Sequence, residues 1–469
     1  MEKLIKNLNL VFLSFMIMLF IGCKPEPVVL TSIEITSPAV KTEYCINEPI
    51  DTTGIEVTAV MNNGREVVSG WTVEFDNTVV GNTIPVKISY FGKEAFYTVI
   101  ISNHIWNEGE VTTVPTCVTK GVKTYKCSIC QEVLGTEEIP ELYSSPVDAE
   151  TGLAATSVST YVYFGVFPKT VLPLDSTVTV DEEDFIEMGA NTYYKGSDGE
   201  YYAKALENAC ATGAQYKYKN GELVKDRFAR SYRYFKVEPI KWKVLTTTYD
   251  IDGEAGSATG ALLLAEDILT ANVPYHKDWD ELREIDGKTV YPNNYQHSSV
   301  RAYLNGLTYQ RYYFYGEDAL WNGKGFLQTA FTSTAQLLIA ETEVDNSDDS
   351  TIDTENHMTK ATTYACENTT DKIFLLSAKE ATTTAYGFAA CDSSGKGNAR
   401  IRMPTDYAKA NYAYQNSTDG YGGDWWLRSP RYNDYMQARS VNYDGYAWGG
   451  CVNVDNRDRG LVPALSISL

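Results

Sequence analysis

The chain has 469 residues, more than a single hydrophobic core organises, so several domains are expected. A hydrophobic content of 43% argues against wholesale disorder, and a net charge of −21 argues against nucleic acid as a partner, because phosphate binding needs a basic footprint. The 34 tyrosines, with plentiful Gly and Thr, favour β-rich extracellular architecture over helical bundles.

Lys3 and Lys6 form a basic start, and residues 10–22 form an apolar stretch too short for a stable membrane span. It ends Leu19-Phe20-Ile21-Gly22-Cys23, which resembles a bacterial lipoprotein signal with Cys23 as the acylated first mature residue; Phe20 stands where Leu is usual. The alternative is an ordinary signal peptide or an uncleaved anchor. The resemblance implies a signal peptide over 1–22, a tether over 23–29 and firm attachment to the bacterial cell envelope by buried lipid chains, at the outer membrane in a two-membrane cell. No later apolar run is long enough to span a bilayer.

From Leu30 the apolar residues alternate as strands do: Ile33 and Ile35, Ile55 and Val57, Val86 and Ile88, Val99 and Ile101. Turn signals such as Asn62-Asn63-Gly64 separate them. Leu30-Thr31-Ser32-Ile33, Tyr44, Asp51-Thr52-Thr53-Gly54-Ile55 and Tyr90-Phe91-Gly92 resemble the bacterial immunoglobulin-like families of surface proteins. The resemblance implies an all-β sandwich over 30–102 that serves as a spacer or adhesive module. Cys45 has no evident partner inside it.

His104, Cys117 and the Cys127-Ser128-Ile129-Cys130 run then supply four soft or borderline ligands, a set that suits tetrahedral zinc in a structural role. A module of about forty residues, 103–143, needs such a staple because burial alone cannot stabilise it. A disulfide among Cys117, Cys127 and Cys130 is the alternative in an oxidising compartment. The stretch resembles a small Cys/His repeat of bacterial cell-surface proteins. A polar linker is expected over 144–157.

In the remainder, Ile240-Lys241-Trp242-Lys243-Val244-Leu245 alternates as a strand and Leu262-Leu263-Leu264-Ala265 reads as a buried one. Ser298 caps a helix that Gly306 stops, and Ser377 with Glu380 forms a capping box after the buried strand Ile373-Phe374-Leu375-Leu376. Residues 342–356 are acidic and Ser/Thr-rich and are expected to form a loop. The Tyr163-Phe164-Gly165 opening, the Val300-Arg301-Ala302-Tyr303-Leu304-Asn305 helix, Trp425-Trp426-Leu427-Arg428-Ser429-Pro430 and the closing Val462-Pro463-Ala464-Leu465 resemble a bacterial family of domains of unknown function. Leu461 departs from its usual ending. That family is similar to the C-type-lectin-like and formylglycine-generating-enzyme fold, which implies an α+β domain over 158–469 displaying its C-terminal loops on one face. The variable proteins of diversity-generating retroelements share the fold.

Between its apolar anchors Ala438, Val441, Val452 and Val454 the tail is crowded with Tyr, Asn, Asp and Arg, types that supply rigid contact area and adaptable hydrogen bonds. Arg431, Tyr432, Asn433, Tyr435, Tyr443, Tyr446, Trp448, Asn453, Asp455 and Arg457 are therefore the candidate binding residues for an unknown protein or glycan, with retroelement diversification as one source of the pattern. Strand alternation puts Asn453, Asp455 and Arg457 on one face and turns Val454 inward. The expectation is a non-enzymatic, lipid-anchored surface protein with structural zinc and no catalytic cofactor. The alternatives are an exported enzyme of the formylglycine-generating fold or an envelope scaffold. His276, His297 and His357 show no ligand-like spacing, Cys391 with Cys451 or Cys210 with Cys366 are candidate disulfides, core packing is expected for Trp425 and Trp426, and Arg428 is expected to bond backbone carbonyls or a core carboxylate rather than a substrate.

Overall fold

The computed structural model describes residues 26–210, 216–254, 256–309 and 321–468; Cys23 and the expected signal peptide lie outside them. Strands hold 40% of the described residues and helices 8%, so the chain is a β-rich protein of several sheets. Among the described residues no helix is long and apolar enough to cross a membrane. Among the described residues two compact units are formed, one from residues up to 112 with 122–137 and the other from 113–121 with 138 onward.

In the first unit, strands Leu30–Ser37, Glu56–Met61 and Gly64–Val68 make one antiparallel sheet. Glu43–Cys45, Lys93–Ser102, Gly81–Tyr90 and Thr72–Phe75 make a second. Period-two side chains from both, Ile33 and Val57 from one and Ile88 from the other, share a core with Trp71 and Tyr90. The short strand Glu43–Cys45 runs parallel to Lys93–Ser102 in a register that sets Cys45 opposite Ser102.

The second unit is built on a nine-stranded sheet whose axis is the 19-residue strand Tyr232–Asp250. Its alternation buries Ile240 and Trp242, as the sequence pattern requires. It pairs with Tyr161–Val171, Tyr201–Leu206 and Thr259–Ala265. The closing strand Ala464–Ile467 inserts between Thr259–Ala265 and Ile373–Phe374, so the chain's end is part of the core. Helix Ser299–Asn305 is capped by the Ser298 hydroxyl, which accepts from Arg301 N–H, and it stops at left-handed Gly306. Ser377 and Glu380 form the expected capping box.

Residues 342–356 are not simply a loop. Thr342–Val344 pairs with Thr369–Asp371, and Asp348–Thr351 forms a short 3-10 helix. Two of its polar side chains bond to backbone groups: Thr351 Oγ1 accepts from Ala361 N–H at 2.9 Å, and Asn346 Nδ2 donates to the Glu367 carbonyl at 3.1 Å. Val147–Asp148, in the stretch expected to be a linker, pairs with Tyr161–Val171 at the edge of the large sheet.

A second sheet of this unit carries the tail: Trp425–Pro430, Gln437–Val441 and Cys451–Asn453, in that order. Every residue of its first strand is buried. Trp425 and Trp426 are fully buried, as are Ala438, Val441 and Val454.

Candidate functional site

Cys127 and Cys130 occupy a tight turn after strand Gly121–Lys126. Cys127 N–H donates to the Glu132 carbonyl at 2.8 Å, Gln131 N–H donates to the Cys127 carbonyl at 3.0 Å, and Gln131 takes the left-handed conformation that reverses the chain. The turn aims Ile129 N–H at Cys127 Sγ, 3.4 Å away. His104 follows strand Lys93–Ser102 and stacks on Trp106 with ring centroids 4.8 Å apart. Its Nδ1 lies 3.4 Å from Cys130 Sγ, while Nε2 lies 3.1 Å from the Ile46 carbonyl. With Nε2–H donating to that carbonyl, the Nδ1 lone pair faces the thiols. Cys45, delivered by the parallel strand, completes the group with Sγ 3.5 Å from Cys127 Sγ.

The four ligand atoms lie within 4.8 Å of one another. Bonds of about 2.0–2.3 Å at tetrahedral angles set ligand atoms roughly 3.3–3.8 Å apart. The observed spacings of 3.4 and 3.5 Å fit, so Cys45, His104, Cys127 and Cys130 can hold a metal ion. Burial and the neighbouring thiols Cys127 and Cys130 push the Cys45 thiol up to about 12. Burial also opposes the Cys127 thiolate, but the Cys130 and Ile129 N–H groups and His104 outweigh it and bring that thiol down to about 6.

The cluster unites three of the four expected ligands and replaces the fourth. Cys117 belongs to the other unit, where it packs against Val118, Val166 and Tyr201, and burial pushes its thiol up to about 11. Cys45 stands 82 residues before Cys127, so no local spacing announces it; only the pairing of Glu43–Cys45 with Lys93–Ser102 brings it there. None of the eight described cysteines is bonded to another, so the expected pairings Cys391–Cys451, Cys210–Cys366 and those among Cys117, Cys127 and Cys130 are not formed in this structure.

The tail residues divide among several neighbourhoods. Residues 431–436 form the turn between Trp425–Pro430 and Gln437–Val441. Arg431 N–H donates to the Gln437 carbonyl at 3.1 Å, and Met436 N–H donates to Asp434 Oδ1 at 2.9 Å. Asn293, fully buried, reaches this turn from outside: its Nδ2 donates to the Asp434 carbonyl at 3.0 Å and the Gln437 carbonyl at 3.1 Å. The Arg431 guanidinium donates to Gln437 Oε1, whose Nε2 donates to Asn453 Oδ1 at 3.2 Å. Tyr435 leans on Tyr291 (6.0 Å between centroids), which meets Tyr364 edge-on at 5.0 Å. Tyr432, Asn433 and Asn453 are exposed.

The next turn carries half-buried Tyr446 and exposed Trp448, whose N–H donates to the Cys391 carbonyl. Tyr443 instead meets Tyr414 and Tyr421 edge-to-face, with ring centroids 6.2 and 5.6 Å away. Asp455 is half-buried. Exposed Arg457 lines a cavity of about 520 Å³ with Cys210, Phe228 and Tyr412. Arg431, Tyr432, Asn433, Tyr435 and Asn453 therefore cluster at the first turn, while Tyr443 and Arg457 have contacts of their own elsewhere.

Arg428 serves the frame. Its guanidinium donates to the carbonyls of Leu375 (2.7 Å) and Asp345 (3.0 Å) and to Glu380. Asn293, Tyr291 and Tyr364 were not singled out by sequence; the turn-forming run Pro292-Asn293-Asn294 was the available signal.

Residues 259–469 match the family described as domain of unknown function (DUF6273). The match opens at strand Thr259–Ala265 and takes in the three-stranded tail sheet and the closing strand. A comparison with curated proteins gives no match.

Proposed function

We propose that the chain is an exported, lipid-anchored bacterial surface protein that recognises a protein or glycan through the 431–436 turn and its neighbours Tyr291, Tyr364 and Asn453. Cys23 is the proposed anchor. The two sheets of the first unit, with their shared core, support an immunoglobulin-like reading, and Cys45, His104, Cys127 and Cys130 are the proposed structural zinc ligands. A C-type-lectin-like fold is proposed for the second unit, with its tail open to retroelement diversification.

The observation that carries this reading is the clamp of Asn293 on the turn. Binding surfaces lose affinity to the ordering of loops, and a turn already fixed by buried hydrogen bonds avoids that cost. It also presents tyrosine rings, which offer large contact area with few rotatable bonds, beside a hydrogen-bonded Arg–Gln–Asn row. The test is to pass the purified chain over arrays of immobilised oligosaccharides and bacterial surface proteins, beside the double variant Tyr432→Ala, Asn433→Ala. A specific signal that falls at least tenfold in the variant supports the reading. Signals equal in both proteins, or none on either array, overturn it.

A further inference from the structure

A second convergence of ligand types lies in the DUF6273-matching region, on residues whose sequence spacing gives no hint of it. Asp353 is buried, and its carboxylate accepts N–H groups from Met358 at 2.7 Å and Glu355 at 3.3 Å. These bonds wind residues 353–358 around the carboxylate, with Asn356 in the left-handed conformation that closes the loop. His357 is thereby carried back over its own anchor: Nδ1 lies 3.2 Å from Asp353 Oδ2 and 3.5 Å from Glu355 Oε2. Cys391 arrives from 34 residues further on, with Sγ 3.8 Å from the same nitrogen.

Cys391 is held as firmly as Asp353. Its carbonyl accepts the N–H groups of Ala447 and Trp448, both at 3.0 Å. Buried Arg400 grips the neighbouring carbonyls of Ala389, Ala390 and Ser393. The loop therefore does not depend on an ion for its shape. Two of the three ligands, Asp353 and Cys391, are almost wholly buried, whereas the His357 side chain is 48% exposed.

We infer that Asp353, His357 and Cys391 form a second metal site, distinct from the four-ligand cluster, which takes a zinc-class divalent cation through one oxygen, one nitrogen and one sulfur. The ligand atoms lie within 4.8 Å of one another, and the separations from His357 Nδ1 of 3.2 and 3.8 Å match those around a tetrahedral ion. Imidazole and thiolate select zinc and its neighbours over calcium or magnesium, which take oxygen ligands. Arg439 and Arg400 lie near Cys391 and oppose a cation there, but Asp353, Glu355, Asp392 and a metal-bound Cys391 thiolate outnumber them. Three protein ligands with one exposed side leave a coordination position for water, for Glu355 or for an anionic group of a bound molecule. The site rests on its own residues and stands whether or not the 431–436 turn binds a ligand.

The test uses the full chain, reduced and stripped with chelator, then titrated with Zn²⁺ or Co²⁺. Metal per chain is counted by mass spectrometry after gel filtration, and cobalt–thiolate absorption is followed in the near ultraviolet. His357→Ala removes a half-exposed side chain and leaves the buried anchors in place; it is expected to lower the stoichiometry by one ion or to weaken that ion's binding at least tenfold. Cys391→Ser is expected to remove cobalt–thiolate intensity from the same equivalent. Equal stoichiometry and affinity in wild type and His357→Ala would overturn the site, as would cobalt–thiolate absorption of the second equivalent unchanged by Cys391→Ser.

Discussion

Arg428→Ala is expected to destabilise the second unit more than any surface change, because the residue ties the first strand of the tail sheet to two other segments. It is 2% exposed. Removing it orphans the carbonyls of Leu375 and Asp345 and leaves the Glu380 carboxylate without its cation. Losing one partner of a buried pair costs about 3–5 kcal/mol. Glu380 keeps two donors, Ser377 N–H at 2.7 Å and the Tyr249 hydroxyl at 2.6 Å, which argues for the middle of that range, about 4 kcal/mol. At roughly 2–3 kcal/mol per molar urea, the unfolding midpoint falls by about 1.3–2 M. Arg428→Lys keeps the charge but not the planar fork, and it is expected to fall between.

The acid limb gives an independent reading of the same pair. Burial alone would raise the Glu380 carboxyl, but the charge and hydrogen bond of Arg428 outweigh it and hold the group below its usual range. A depressed carboxyl stabilises the fold above its unfolded value of about 4.3 and loses that contribution as pH falls through the lower folded value. Wild-type urea midpoints should therefore decline below about pH 4 more steeply than those of Arg428→Ala. A midpoint for Arg428→Ala within about 0.3 M of wild type at neutral pH, with parallel acid limbs, refutes the reasoning.

Two further outcomes follow from geometry. Cys45→Ser should weaken zinc binding by the first unit by more than the roughly 10–100-fold that second-shell changes cost, while Cys117→Ser leaves it unchanged; competition with a chromogenic chelator measures both. Gly450→Ala would place a Cβ 2.0 Å from the Ser440 carbonyl, inside the ladder of the tail sheet. It should lower the urea midpoint and speed amide exchange across Gln437–Val441, and normal exchange there would contradict the placement.

Local rules carried the readable part of the fold. The Ser298 and Ser377 caps, the Gly306 stop and the alternation around Trp242 are each decided within a few residues, so sequence exposes them. Strand Thr342–Val344 was missed because its acidic, Ser/Thr-rich surroundings imitate a solvated loop, whereas Thr342–Val344 pairs with Thr369–Asp371 and the Asn346 and Thr351 side chains bond to backbone groups. The sites divide in the same way. Cys127 and Cys130 share one turn and were legible from spacing. Cys45, Asn293 and the pairing of His357 with Cys391 exist only through strand register and loop winding, which no short window encodes. Cys117 misled because nearness in sequence to Cys127 does not put the two cysteines in the same unit.

The central claim is that residues 431–437 are a rigid turn held for display by Asn293, and amide hydrogen exchange of Asn293→Ala measures it most directly. The substitution deletes two hydrogen bonds to the Asp434 and Gln437 carbonyls, a loss of about 2 kcal/mol. Exchange in residues 431–437 should quicken roughly thirtyfold while the buried strand Trp425–Pro430 keeps its wild-type rates. Rates in the turn already fast in the wild type, and unmoved by the substitution, would contradict the account.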